Sequence, residues 1–158
     1  MMRRSHLEGD VMLRGIDPLL RGELLHLLDD MGHTDRLLLA DANFPLIRAT
    51  CPVVRLGEVR MSRTLDAVLS VFPLDEPVDG AVTRMVDPAD PEALSPALQD
   101  CLGVLRCHAG EGTRFRTPPR EVFYEEAMQA AAIIHVLEPL PASCLILTKG
   151  VIYPHAAG

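Results

Sequence analysis

The feature that most constrains the fold is a run of four apolar residues, 37–40, between two polar segments. His33 and Asp35 lie just before this run, and Asp41 follows it directly. An apolar strand must be covered on both faces, as in a sheet that lies between two layers of helices. The run therefore predicts a buried strand with a titratable side chain near each end.

Amphipathic segments alternate with further apolar runs along the chain. Asp17-Pro18 predicts the start of a helix that continues to Met31, and Gly32 is the expected stop because glycine enters the left-handed conformation easily. Periodicity predicts seven further elements: helices over residues 61–72, 91–102 and 119–131, and strands over 53–56, 81–86, 132–137 and 144–148. The alternation predicts one α/β domain, with three layers (α/β/α) and a largely parallel or mixed sheet.

Composition agrees with one folded domain. A chain of 158 residues with 48% hydrophobic and 23% charged residues can bury a core without disulfides or metals. The residues before Met12 are polar, and we interpret 1–11 as a flexible extension that precedes a domain over residues 12–154.

Charge and hydropathy restrict the partners. The net charge of −7 argues against nucleic-acid binding, which needs a basic face. No stretch approaches the roughly 18 consecutive apolar residues of a membrane span, and the first ten residues lack the apolar centre of a secretory signal. We therefore expect neither nucleic acid nor membrane as a partner, and a cytoplasmic location. The four cysteines form no C-x-x-C pair and are expected to be free thiols.

His33 and Asp41 are the first candidate functional residues. His33 follows a predicted helix end, and Asp41 lies at the carboxyl end of a predicted strand, where open α/β sheets bind ligands. A histidine paired with a carboxylate transfers protons near neutral pH without a cofactor. Both residues also have ordinary interpretations, as a surface or capping histidine and as a loop-capping aspartate.

Arg120 is the third candidate. Arg120 and Tyr124 are four residues apart at the start of a predicted helix and therefore share one face. Because a cation is unfavourable at this end of a helix, Arg120 indicates an anionic or hydroxyl-rich partner, although an ion pair with a neighbouring glutamate explains it equally well. His108 and His135 have no partners at metal-ligand spacing and are interpreted as structural or surface residues. Phosphate-binding glycine loops and dinucleotide-binding motifs are absent from the sequence.

Five segments carry a family resemblance. They are Leu19-Leu20 with Glu23-Leu24-Leu25, Met31-Gly32-His33-x-Asp35, Asp41-Ala42-x-Phe44-Pro45, Arg120-x-x-Phe123-Tyr124-Glu125-x-Ala127 and Leu147-x-Lys149-Gly150-Val151. In this order they resemble the RbsD/FucU family of ribose pyranases and fucose mutarotases, and Arg120 resembles the fucose branch. The resemblance implies an RbsD-like fold. It also implies interconversion of the anomers, or of the pyranose and furanose forms, of a free monosaccharide such as L-fucose.

The resemblance also implies roles for individual residues. The family's proton donor matches His33, and its sugar-binding residues match Asp41 and Arg120. Its Tyr-x-Asn sugar contact falls on Ala142 and Cys144, which are therefore further substrate-binding candidates although they lack the ring and the amide. The resemblance implies no metal, no cofactor, and a ring-like homo-oligomer, an octamer or a decamer.

The distance between His33 and Asp41 raises a question about the site. Eight extended residues span about 26 Å, so the two side chains do not meet across one straight strand. Either the chain bends sharply, or the pocket joins His33 of one subunit to Asp41 of its neighbour. Two other functions stay open: a sugar-binding accessory protein without turnover, and a metal hydrolase that uses His33, Asp35 and Asp41.

Overall fold

The computed structural model describes residues 13–76 and 80–154, so the predicted extension over 1–11 lies outside the described residues. The described residues form four helices and five strands. These are α1 (Gly22–Asp30), β1 (Arg36–Ala40), β2 (Val53–Gly57), α2 (Met61–Leu69), β3 (Val82–Arg84), α3 (Pro96–Ala109), α4 (Arg120–Ala127), β4 (Ala132–Val136) and β5 (Leu145–Thr148).

The five strands form one mixed sheet in the order β2-β4-β1-β5-β3. β1 is central and pairs parallel with β4 and antiparallel with β5. β2 lies parallel to β4 at one edge, and β3 lies antiparallel to β5 at the other. The predicted mixed sheet is confirmed. The carboxyl ends of β1 and β4 therefore meet the amino end of β5 at one end of the sheet.

The residues of β1 alternate between two hydrophobic cores. Leu37 and Leu39 belong to a core that includes residues of α1, α2 and α3, whereas Leu38 and Ala40 belong to a second core with residues of α4. All four side chains are fully buried, and each leucine contributes about 1.5–3 kcal/mol through burial. The predicted coverage of both faces is confirmed, with three helices on one face and one on the other.

Helix α1 begins later than the sequence predicts. The Asp17 carboxylate does not cap a helix that starts at residue 18; it accepts the Leu19 N–H at 2.9 Å and pairs with Arg63 of α2 at 2.7 and 2.8 Å. The helix starts at Gly22 instead. The prediction was wrong because a partner distant in sequence uses the carboxylate.

Helix α3 also differs from the prediction over 91–102. Its cap is Ser95, whose hydroxyl accepts the Leu98 N–H at 3.2 Å, and Pro96 is the first helical residue. The helix then continues to Ala109 through a stretch without clear periodicity. Gly110, which has a φ of 102°, is its C-cap.

Candidate functional site

His33 lies in a tight turn between α1 and β1. Met31 already has an extended backbone (φ −66°, ψ 134°), so Gly32 is not the left-handed stop that the sequence predicts. Thr34 takes the left-handed conformation instead, with a φ of 71°. The Asp35 carboxylate accepts the Gly32 N–H at 2.7 Å and closes the turn. Asp35 therefore holds the backbone around His33.

Residues 149–150, which we call the β5 continuation, hold this turn in place. The main chain of Lys149 accepts the Thr34 N–H and donates to the Asp35 carbonyl, both at 2.9 Å. The Lys149 ammonium donates to carbonyls at the end of α1, those of Leu28 at 2.7 Å and of Met31. A cation at this end of a helix also meets the negative end of the helix dipole. The backbone on both sides of His33 is therefore anchored to β5.

Asp75 is the carboxylate that meets His33. The imidazole Nε2 and the Asp75 Oδ1 lie 3.3 Å apart, and the two side chains are 54% and 31% exposed. Asp75 is held there because its N–H donates to the Thr148 carbonyl at 2.9 Å, on the opposite side of the β5 continuation. A cavity of about 760 Å³ has Asp75, but not His33, in its wall. No sequence pattern indicates Asp75, which lies 42 positions from His33 in a turn-rich segment.

Asp41 lies at the opposite end of β1 and is buried. Its two carboxylate oxygens accept the N–H groups of Asn43 and Ser143, each at 3.0 Å. Its own N–H donates to the Cys144 Sγ at 3.3 Å. These bonds join the loop after β1 to the loop before β5. The two oxygens of a carboxylate together accept about four hydrogen bonds, so Asp41 can still accept one from a sugar hydroxyl.

Arg120 lies at the start of α4, on the same face as Tyr124, as predicted. Its guanidinium donates to the Val86 carbonyl at 3.0 Å and to the Tyr124 hydroxyl at 3.2 Å. Tyr124 in turn stacks on Phe44, with 5.9 Å between ring centroids. These contacts fix two of the guanidinium nitrogens, and the guanidinium has five N–H groups in all, so donors remain for a ligand.

Ala142 and Cys144 lie in the loop beside Asp41. Burial raises the pKa of the Cys144 thiol well above its usual value, the charge of Asp41 raises it further, and the charge of Arg120 acts against both. The thiol is therefore protonated, and its sulfur accepts the hydrogen bond from the Asp41 N–H. Ala142 is half-buried, has a φ of 55° and packs against the core that contains Phe44. The structure thus brings together four of the five predicted site residues: Asp41, Arg120, Ala142 and Cys144.

The fifth predicted site residue, His33, lies at the other end of β1. Asp41 is therefore separated from His33 and Asp35, the two residues that the metal-hydrolase interpretation requires beside it. Among the residues that the structure describes, no group of three or more His, Cys, Asp or Glu side chains is placed to hold a metal. Within the same residues, no helix has the length and apolar character needed to cross a bilayer.

Comparisons with known proteins agree with this architecture. The profile of the RbsD / FucU transport protein family matches residues 14–152. The chain is 38% identical over 149 residues to a protein from Danio rerio named fucose mutarotase, covering 91% of this chain and 97% of the relative.

Solved structures show the same fold. The crystal structure of FucU from Bifidobacterium longum has a TM-score of 0.81 and 35% identity, covering 89% of this chain and 100% of that one. The fucose mutarotase from Streptococcus pneumoniae, solved in complex with L-fucose, has a TM-score of 0.73 and 33% identity, with the same coverage. The chain belongs to the RbsD/FucU family.

Proposed function

We propose that the chain is a mutarotase that interconverts the anomers of a free monosaccharide, L-fucose or a related sugar. The observation that carries the proposal is the convergence of Asp41 and Arg120, an acceptor and a donor for hydroxyl groups, at one end of the sheet. The relatives named fucose mutarotase support the identity of the sugar.

The reaction needs only proton transfer. The anomeric hydroxyl loses its proton to water, the bond between the anomeric carbon and the ring oxygen breaks, and the ring oxygen gains a proton. The resulting carbonyl group rotates, and the hydroxyl group formed from the ring oxygen then adds to the other face of the carbonyl carbon. The ring closes as the other anomer. In this proposal His33 donates the proton to the ring oxygen and takes it back, Asp41 accepts hydrogen bonds from the sugar hydroxyls, and Arg120 donates to them. General acid–base catalysis of this kind contributes about 10²–10⁴-fold.

We propose that two subunits share each site. His33 and Asp41 lie at opposite ends of β1, so one chain presents two half-sites. A head-to-tail ring, an octamer or a decamer, would place His33 of one subunit against Asp41 and Arg120 of the next. The exposed position of the His33 imidazole supports this arrangement. We also propose a cytoplasmic location, which the free cysteines support.

A second candidate function is a sugar-binding accessory protein without turnover. The observation in its favour is the loop before β5, where Ala142 supplies no polar group and the Cys144 thiol is buried against Asp41. This loop therefore offers a sugar fewer hydrogen bonds than a polar loop would.

Saturation-transfer NMR on the anomeric protons of L-fucose tests both functions. We expect the wild-type protein to accelerate exchange between the anomers, and His33→Gln to reduce the acceleration by about 10²-fold or more. His26→Gln is the matched control, because His26 is also an exposed histidine beside an aspartate, Asp30. Binding without faster exchange would favour the accessory function, and a wild-type protein that neither binds nor accelerates would contradict both.

A further inference from the structure

His135 is a buried imidazole next to Asp41 that the reaction above does not use. It lies near the carboxyl end of β4, in register with Ala40 on β1 and with Arg55 on β2. Only 8% of the residue is exposed. The main-chain carbonyl of Asp41 lies close enough to one ring nitrogen to act as its hydrogen-bond acceptor. His135 is therefore fixed beside the residue proposed to bind the sugar.

The second ring nitrogen of His135 has no protein partner among residues 13–76 and 80–154. In that part of the chain, the Asp41 carbonyl is the one group placed to hydrogen-bond to the ring. No buried side-chain nitrogen or oxygen in the described part of the chain lacks a partner. The second nitrogen therefore reaches the surface, although more than nine-tenths of the residue is buried.

The imidazole is neutral at physiological pH. Burial lowers the pKa of His135 below its usual value of 6.5, and the positive charge of Arg55 lowers it further. The negative charge of Asp41 and the hydrogen bond to its carbonyl act in the opposite direction. A neutral imidazole that donates through one nitrogen carries a lone pair on the other. The surface nitrogen of His135 is therefore a hydrogen-bond acceptor.

A purely structural role does not explain this side chain. Ile133, two residues earlier on β4 and therefore on the same face of the sheet, fills the core that contains Phe44 with a hydrocarbon side chain. An apolar residue at 135 would pack there without the cost of removing an imidazole from water. Titratable side chains whose pKa is shifted by burial and by a nearby charge cluster at functional sites.

We propose that His135 is a substrate-binding residue, whose surface nitrogen accepts a hydrogen bond from a hydroxyl group of the sugar bound at Asp41. The contact determines specificity, because it distinguishes sugars by the presence of one hydroxyl. The inference rests on the proposed mutarotase function and assigns it a residue that the family resemblance does not.

Deoxygenated sugars test this contact directly. Exchange is measured for L-fucose and for three analogues that each lack one non-anomeric hydroxyl, with the wild-type protein and with His135→Phe and His135→Ile. For one analogue, wild-type kcat/KM should fall about fivefold or more through loss of this hydrogen bond. In the variants, the ratio of kcat/KM for L-fucose to kcat/KM for that analogue should lose this fivefold contribution. The corresponding ratios for the other two analogues should stay as in the wild type.

Two apolar variants are used because phenylalanine preserves the flat ring and isoleucine suits a strand. His26→Gln is the control and should keep all three ratios. Unchanged ratios in a folded His135 variant would overturn the contact and leave the mutarotase function intact. A wild-type protein that accelerates no exchange would contradict the function and the contact together.

A measurement on the wild-type protein needs no stable variant. With nitrogen-labelled histidine, L-fucose should shift the NMR signal of the unprotonated ring nitrogen of His135. The absence of a shift at saturating sugar would also overturn the contact.

Discussion

The contact between His33 and Asp75 orients the imidazole more than it stabilises the fold. Both side chains are partly exposed, at 54% and 31%, and solvent screens the attraction between them. The carboxylate nevertheless holds the Nε2 side of the imidazole and leaves Nδ1 for another contact. We therefore assign Asp75 as a positioning residue for the proposed proton donor, since its carboxylate contacts the His33 imidazole.

Asp75→Asn should lower kcat for anomer exchange about fivefold and leave KM close to the wild-type value. An amide forms a weaker hydrogen bond to the imidazole, and it does not stabilise the positive charge that the ring carries before it donates the proton. NMR exchange rates measured over a range of sugar concentrations separate the two constants.

Asp66→Asn is the matched control, because Asp66 forms a similar surface pair with His108 at 2.8 Å, between α2 and α3. It should leave both constants unchanged. If Asp75→Asn behaved like this control, Asp75 would have no part in catalysis.

Residue-scale prediction from sequence succeeds for the position of a residue where a local pattern decides it. Asp41 follows an apolar strand and Arg120 begins a helix, and both patterns are local. Asp75 and His135 have no local signal. Asp75 meets His33 because both flank the β5 continuation, and His135 meets Asp41 because β4 pairs with β1. Strand order and register decide both contacts, and one sequence does not contain them.

At the scale of elements, the continuation of β5 past Thr148 is the part that organises the His33 end. Its two sides bind the turn with His33 and the loop with Asp75. Gly150 makes this close packing possible: a Cβ atom there would lie 2.3 Å from the Leu74 carbonyl oxygen and 2.7 Å from the Asp75 nitrogen. The Gly150 N–H also donates to the Pro73 carbonyl at 2.8 Å.

Gly150→Ala should therefore move the loop with Asp75 away from β5. We expect a loss of about 1–3 kcal/mol in the free energy of unfolding, as for other overpacked sites, and a lower kcat in the protein that remains folded. Urea unfolding and NMR exchange measure the two effects.

Gly103→Ala provides the control for this substitution. Gly103 lies within α3, and a Cβ atom there would meet nothing within 4 Å. Alanine is the better helix former, so this variant should be about as stable as the wild type or up to about 1 kcal/mol more stable. Equal stability of the two alanine variants would show that the Leu74 loop moves without strain.

Element-scale prediction from sequence is reliable for cores and weaker for helix ends. The apolar run in β1 predicted coverage on both faces, because burial leaves a direct mark on composition. The start of α1 was wrong because Arg63 uses the Asp17 carboxylate. The start of α3 had a local signal, Ser95-Pro96, but the earlier Asp90-Pro91 has the same pattern. Two equivalent caps in one sequence are distinguished only by tertiary packing.

At the scale of the whole molecule, the chain presents its proposed functional groups, His33 and Asp41, at two separate ends of one sheet. Ile152 and Tyr153, which follow the β5 continuation, are 76% and 79% exposed. Large apolar side chains beside a functional group are typical of a surface that contacts another subunit. Together with the exposed His33, these side chains support the proposal that a neighbouring subunit completes each site.

Complementation between two inactive variants tests the shared site. His33→Gln removes the proton donor from one half-site, and Arg120→Gln removes a sugar-binding group from the other. Co-expressed in equal amounts, the variants form mixed oligomers. About one quarter of the sites in a head-to-tail ring then receive His33 from an Arg120→Gln subunit and Arg120 from a His33→Gln subunit. NMR exchange should therefore recover about a quarter of the wild-type activity. Two tags on the variants isolate the mixed oligomers, and each variant alone gives the background. Background activity in mixed oligomers would show that both groups act within one chain, and the separation of His33 from Asp41 along β1 would then require a different proton donor at the Asp41 end.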